Sequence, residues 1–198
     1  MLSVTLASSD DDLRGILALQ QQNLPRVLAP EVRAQEGFVT LEYTFEQMQR
    51  MHQAGPSVIA LDGTRVVGYA ITALPEVRAH VPELESLFAF ADVLPYHGTP
   101  LKQRAYYLMG QVCIAQGYRG QGLFDRLYQH HRAVYGGRYD FLLTDISLRN
   151  PRSLRAHQRL GFQTVGQMQT PATDEHWAVV LWDWQNPAPA YPQTERAS

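Results

Sequence analysis

Between Gln111 and His131 the chain reads QVCIAQGYRGQGLFDRLYQHH. Three glycines in six residues, Gly117, Gly120 and Gly122, separate a run of apolar β-formers from a helical pattern. A strand passing through a glycine-rich turn into a helix is an α/β device, and it creates an anion site. Glycines let the backbone approach a ligand and aim successive N–H groups at it, while the helix N-terminus adds partial positive charge. Arg119, in the middle of the turn, supplies a guanidinium able to grip phosphate oxygens. Two familiar nucleotide motifs fail here. GYRGQG has the Gly-x4-Gly spacing of a nucleoside-triphosphate loop, but Leu123 and Phe124 stand where Lys and Ser/Thr are required. A dinucleotide fingerprint counted from Gly120 needs a third small residue where the chain has Asp125.

The surrounding pattern alternates strands and helices. SVTLAS reads as a strand, with Asp10 to Asp12 capping a helix to about Asn23. TFEQMQRMHQA has the Thr44/Gln47 spacing of a capping box. SVIALDGTRVVGYAITAL reads as a hairpin around Asp62-Gly63, because that pair accepts the positive φ of a tight turn. VPELESLFAF suggests a short helix with Pro82 in its first turn, and ADVLPYHGTPLKQR a loop. YYLMGQVCIA is a strand, and the helix after the glycines puts Leu123, Phe124, Leu127, Tyr128, His131 and Val134 on one side. YDFLLTDIS, NPRSLRAHQRL, FQTVGQ and HWAVVLWDW follow as strand, helix, strand, strand, with Gly161 stopping the helix. The expectation is one α/β domain over residues 1–184, with a mixed, mostly antiparallel sheet of about six to seven strands flanked by helices. The proline-bearing segment 185–198 is expected to be a flexible tail.

Composition narrows the partners. A net charge of −2 offers no global basic field for nucleic acid or an anionic membrane surface. One cysteine, Cys113, excludes an internal disulfide and a cysteine-based zinc site, and the seven histidines show no ligand spacing, so no metal is expected. No apolar run approaches the roughly 20 residues that span a bilayer. The opening MLSVTLASSDDD has no basic segment ahead of a hydrophobic stretch, so a cytoplasmic protein is expected, as monomer or homodimer.

A second motif stands 28 residues after Gly122: NPRSLRAHQRLGF, from Asn150. YRGQGLFDRLY together with NPRSLRAHQRLGF resembles the acyl-CoA loop and following helix of the GNAT superfamily, the acetyl-CoA-dependent N-acetyltransferases, over about Gln111 to Gly166. The resemblance implies a GNAT fold and acetyl-CoA as co-substrate. The backbone of Val112, Cys113 and Ile114 would bond the pantetheine arm like an added strand. The amides from Tyr118 through Arg119, Gly120, Gln121 and Gly122 to Leu123 would hold the pyrophosphate, with Phe124 next to them. Asn150 and Ser153 would line the arm. The family often has Gln or Arg three places before the first loop glycine, where this chain has Gly117. A side-chain contact is therefore missing that Arg119 or Gln121 would have to replace.

Transfer to an amine needs a deprotonated amine, a polarised thioester carbonyl and help for the departing thiolate. At the position where the family often has a tyrosine acid, this chain has His157, which is either a proton donor or a residue packed on the cofactor. Asp145, near a strand end, is either the group that receives the amine's proton or one turned to solvent by strand alternation. Cys113 reads as a small apolar strand residue rather than a nucleophile. The acceptor would be met by residues 24–43 and by ADVLPYHGTPLKQR, with Phe38, Tyr96 and His97 as candidate lining. The expected function is transfer of an acetyl group from acetyl-CoA to a small-molecule or peptidyl primary amine by direct attack. The alternative is an acyl-CoA-binding sensor or scaffold on the same fold, and a nucleotide-binding α/β protein is disfavoured by the absent lysine.

Overall fold

The computed structural model describes residues 1–29, 31–32, 37–170 and 175–186. Strand β1 (Leu2–Leu6) leads into α1 (Asp10–Gln22), whose start is fixed by a reciprocal cap. Ser9 Oγ accepts the Asp12 amide and Asp12 Oδ2 accepts the Ser9 amide, satisfying two donors the helix leaves unpaired. The cap is thus Ser9, and Asp12 closes it from the third helical position. Helix α2 (Phe45–Ala54) is capped in the same way by Thr44 and Gln47, as the spacing predicts. Strands β2 (Val58–Asp62) and β3 (Arg65–Ala73) form the expected hairpin, with Gly63 at φ +60°.

Two short 3-10 turns precede α3 (Glu85–Val93). The segment expected to be plain loop is more ordered: β4 (Pro95–Tyr96) pairs with β5 (Thr99–Pro100) across His97 and Gly98, both at positive φ. Then come β6 (Tyr106–Ile114), α4 (Leu123–Tyr135), β7 (Phe141–Ser147), α5 (Pro151–Arg159), β8 (Gln163–Thr170) and β9 (Glu175–Asp183). In α4 the buried stripe is Leu123, Leu127, Tyr128, His131 and Tyr135, and Val134 is 38% exposed. The stripe follows i+4 steps, so Tyr135 takes the core position that a strict face count gives to Val134.

The main sheet has seven strands in the order β1-β2-β3-β6-β7-β9-β8. Every neighbouring pair is antiparallel except β6 and β7, which are parallel because α4 carries the chain back across the sheet. Helices α1 and α2 pack on β3, α4 lies over β1, β2 and β3, and α5 rests on β7. The core includes fully buried Tyr69, Tyr107, Tyr128, Phe141 and Trp182. Gln185 and Asn186 donate their amides to Asp183 Oδ1, and the rest of the expected tail lies outside the described residues. Among the described residues no helix is long and apolar enough to cross a membrane.

Candidate active site

The one parallel pairing is short. Only Tyr106–Leu108 of β6 register with Phe141–Leu143 of β7, although β6 stays on β3 to Ile114 and β7 stays on β9 to Ser147. Beyond Leu108 the two strands part and leave a slot in the middle of the sheet. A bulge helps to turn β6 away: Ile71 opposes Gln111 and Thr72 opposes Met109, so Gly110 is the extra residue. A Cβ at Gly110 would stand 3.0 Å from the Tyr43 hydroxyl, which donates to the Gly110 carbonyl at 2.9 Å. The crotch of the slot is tied by Thr144 Oγ1 donating to Met109 O.

A small cavity of about 70 Å³ occupies the crotch, bounded by Gly110, Val112, Asp145 and Trp177, with Phe38 and Leu41 above. It shares Phe38, Val39, Val112, Asn150 and Ser153 with a larger cleft of about 630 Å³, so the two adjoin. The large cleft runs along Val112, Cys113 and Ile114 to Arg119, Gly120, Gly122 and the first turn of α4. The three strand residues expected beside a pantetheine arm line this cleft.

At the far end the glycine turn is a backbone cradle. Gly120 (φ +74°) and Gly122 (φ +73°) adopt conformations that favour glycine, and Gly122 is the N-cap of α4. A Cβ on Gly117, Gly120 or Gly122 would meet nothing within 4 Å, so space for a ligand adjoins the turn. The Tyr118 amide is spent on Ala115 O and the Arg119 amide reaches Gln116 O at 3.3 Å. The amides of Gly120 to Leu123 bond no other described residue and remain for an anion. Tyr118 instead braces the turn from its other end, its hydroxyl donating to Asp62 at 2.8 Å. Gln121 turns its side-chain amide back to Gly117 O, and Phe124 packs edge-on to His157. Asp125 would oppose an anion, but Arg159 grips it with two 2.6 Å hydrogen bonds. Arg119 lines the cleft while donating Nε–H to Ile114 O and an Nη2 proton to Asn23 Oδ1, so it also pins the turn to β6 and to the end of α1.

The second motif forms the opposite wall. Asn150 caps α5, accepting the Ser153 amide, and its side-chain amide donates to Phe38 O at 3.2 Å. His157 is 1% exposed. Its Nδ1–H donates to Ser153 O at 2.8 Å, so Nε2 is the unprotonated nitrogen, and it accepts the Tyr128 hydroxyl at 2.6 Å. Burial pushes the imidazole down to about 4. Where the sequence allowed a proton donor or a packing residue, the fold holds a neutral ring with both nitrogens engaged.

Asp145 borders the slot instead of facing open solvent. No other described residue hydrogen-bonds its carboxylate, and burial pushes it up to about 6. Its charge is felt by the Tyr43 hydroxyl overhead. Cys113 is buried and pushed up to about 12, which keeps it a thiol. Phe38 does line the slot. Tyr96 and His97 do not: Tyr96 donates to Asp183 and stacks edge-on to Phe141, at the other end of β7. Four residues of strand, about 13 Å, separate Phe141 from Asp145. The hairpin β4-β5 docks on the closed end of the sheet, which corrects the expected acceptor lining.

The sequence reading missed the network that fixes the roof. Gln111 Oε1 accepts from Gln20 Nε2 at 2.9 Å and from the Tyr69 hydroxyl at 2.6 Å, while Gln111 Nε2 donates to Leu41 O. Gln20 Oε1 in turn accepts the Tyr43 amide, and the Val39 amide donates to Asn23 O. A signal existed in both places. Gln20 falls on the Leu13/Ile16 face of α1, and Gln111 sits inside an apolar strand, each a polar residue at a core position.

No protein-family model and no curated protein matches the chain. Solved structures do. The ribosomal-protein-S18-alanine N-acetyltransferase from Escherichia coli superposes with a TM-score of 0.59 at 13% identity, over 100% of this chain and 99% of that one. An N-acetyltransferase from Staphylococcus aureus Mu50 gives 0.61 at 15%, over 92% and 98%. The NatC complex bound to Gag peptide and CoA gives 0.64 at 12%, over 92% and 98%. At such identities the likeness is one of fold: the chain has the fold of the GNAT acetyltransferases.

Proposed function

We propose that the protein is an acetyl-CoA-dependent N-acyltransferase acting on a primary amine by direct attack. The observation that carries this reading is a pair of adjoining cavities that lead from the glycine turn, along Val112 to Ile114, to Asp145. Acetyl-CoA would supply the activated acyl group, and the rest is the work of this chain's residues. The α4 N-terminus and the free turn amides would hold the pyrophosphate, with Arg119 beside them and Arg152 and Arg159 on the facing wall. The open edge of β6 would orient the pantetheine arm, and Asn150 and Ser153 would close on it from α5. Asp145, ionised above about pH 6, is assigned to take the proton from the amine. The neutral amine nitrogen then bonds the acyl carbon, the carbon–sulfur bond breaks with its electron pair going to sulfur, and the second nitrogen-bound proton passes to the departing thiolate, giving amide and free thiol. His157 is assigned to position Ser153 and Tyr128 rather than to donate a proton, since its Nε2 carries none.

The test is a thiol-release assay with acetyl-CoA against a broad amine panel, alongside calorimetry with CoA. Release that requires both an amine and Asp145 supports the reading. CoA binding without release on any amine would instead leave a binding module.

A further inference from the structure

We propose that the acceptor is an amine with a single positive charge and an apolar arm, and with no carboxylate beside the amine. The inference rests on the acyltransferase reading of the cleft and concerns its acceptor end.

Charge is segregated along the cleft. The cations Arg119, Arg152 and Arg159 all border the large, cradle end. At the crotch, among the described residues, the ionisable lining is Asp145 and the neutral His157. Four polar side chains around Asp145 are already committed. Thr144 donates to Met109 O, Ser147 to Glu175, Asn150 to Phe38 O, and Gln111 to Leu41 O. Arg149, the nearest cation in sequence, is held by Glu175 through Nε and Nη2. Asp145 is therefore an unbonded carboxylate set among Val112, Ile146, Leu41, Phe38 and Trp177.

Such a carboxylate in apolar walls favours a cation that can hydrogen-bond it, and an ammonium does. An α-amino acid brings a second carboxylate to the same place. That group would meet the like charge of Asp145 with no described cation in the crotch to pair it, and an unpaired charge beside a like charge is rejected. Size points the same way. The crotch, about 70 Å³, is far below the roughly 300–1,000 Å³ of a pocket that encloses a whole small molecule. It takes the amine and the first carbons, and the arm leaves between Phe38 and Trp177, where an apolar or aromatic group has matching surface.

Three probes isolate the carboxylate: 2-phenylethylamine, phenylalanine, and phenylalanine amide, which share the arm and differ beside the amine. Binding to the CoA-loaded protein is measured by calorimetry, and thiol release from acetyl-CoA is followed in parallel. Phenylethylamine and phenylalanine amide are expected to bind about tenfold to a hundredfold tighter than phenylalanine, the size of one charge-assisted contact. D145N, isosteric and uncharged, is expected to remove about tenfold or more of the amine affinity while CoA affinity holds. Phenylalanine binding as well as phenylethylamine, or amine affinity unchanged in D145N, overturns the proposal. If the amines bind but no thiol is released, the acyltransferase reading fails and the acceptor-end inference stands. If other amines drive release while the two favoured probes do not bind, the inference fails and the reading stands.

Discussion

Gln111→Leu removes an amide that three buried groups depend on, and its cost follows from who is left behind. Tyr69 Oη and Gln20 Nε2 both lose their acceptor, and Leu41 O loses its donor. Tyr69 and Gln20 are fully buried, so water does not replace the lost partner. An unsatisfied buried group costs about 1–3 kcal/mol. The Tyr69 hydroxyl can turn toward Cys113, a weak acceptor, which reduces its share. A loss of about 3–5 kcal/mol is expected, a large part of a typical total of roughly 5–15. Urea unfolding reads it as a fall in midpoint of about 1–2 M at unchanged slope. The double variant Q20L/Q111L is expected to cost less than the sum of the singles, because two of the stranded partners are removed together. A single-variant loss under about 1 kcal/mol, or strict additivity, would refute the claim that this amide holds the roof.

Other outcomes follow from the same geometry. Gly122→Asp places a like charge in the open space beside the cradle and is expected to weaken CoA by at least about tenfold with the fold retained; equal calorimetric affinity would remove the cradle assignment. His157→Phe keeps a ring against Phe124 and Phe162 but strands the Tyr128 hydroxyl. Turnover is expected to stay within about tenfold while stability drops, whereas a fall of roughly 10² to 10⁴ would make His157 the acid after all. Below about pH 6 Asp145 is protonated, so kcat/KM should climb through that pH, and D145N should abolish this limb as well as most activity. Stability tests the signs together. His131 and His157 are each pushed from 6.5 down to about 4 by burial, so the unfolded chain binds their protons first and stability is lost as pH falls through that window. Asp145 is raised from 3.8 to about 6, so it works in the opposite sense, with stability lost as pH rises through its window. Between about pH 4 and 6 the two histidines outweigh Asp145, so D145N should steepen the loss of stability on acidification, and an unchanged slope would contradict the assignment.

Local chemistry was readable in the residues. The glycine turn, the Thr44/Gln47 cap and the Asp62-Gly63 hairpin appear as expected because each is decided within a few bonds of itself. Asp145 and Tyr96 were not, because their surroundings are decided by strands distant in sequence. Asp145 meets the slot only because β6 leaves β7 after Leu108, a matter of register that no pattern within YDFLLTDIS encodes. Tyr96 stands at the closed end because its hydroxyl finds Asp183, 87 residues away. His157 was ambiguous for a different reason: its protonation is set by Tyr128 and the Ser153 carbonyl, and the sequence motif names neither contact.

The roof from Phe38 to Tyr43 has no helix or strand of its own, yet its polar ties reach several supports. Phe38 O is held by Asn150 from α5, the Val39 amide by Asn23 after α1, Leu41 O by Gln111 from β6, and the Tyr43 amide by Gln20 from α1. Such a segment behaves like a bridge deck on fixed piers. The piers carry the span over Asp145 without a helix or strand of its own, and Arg26 adds a tie from upstream, gripping Glu42 through Nη1 and Nη2. The same arrangement makes Asn23 a junction: it carries Val39 on its carbonyl and Arg119 on its side chain, so the glycine turn and the roof share one mechanical support.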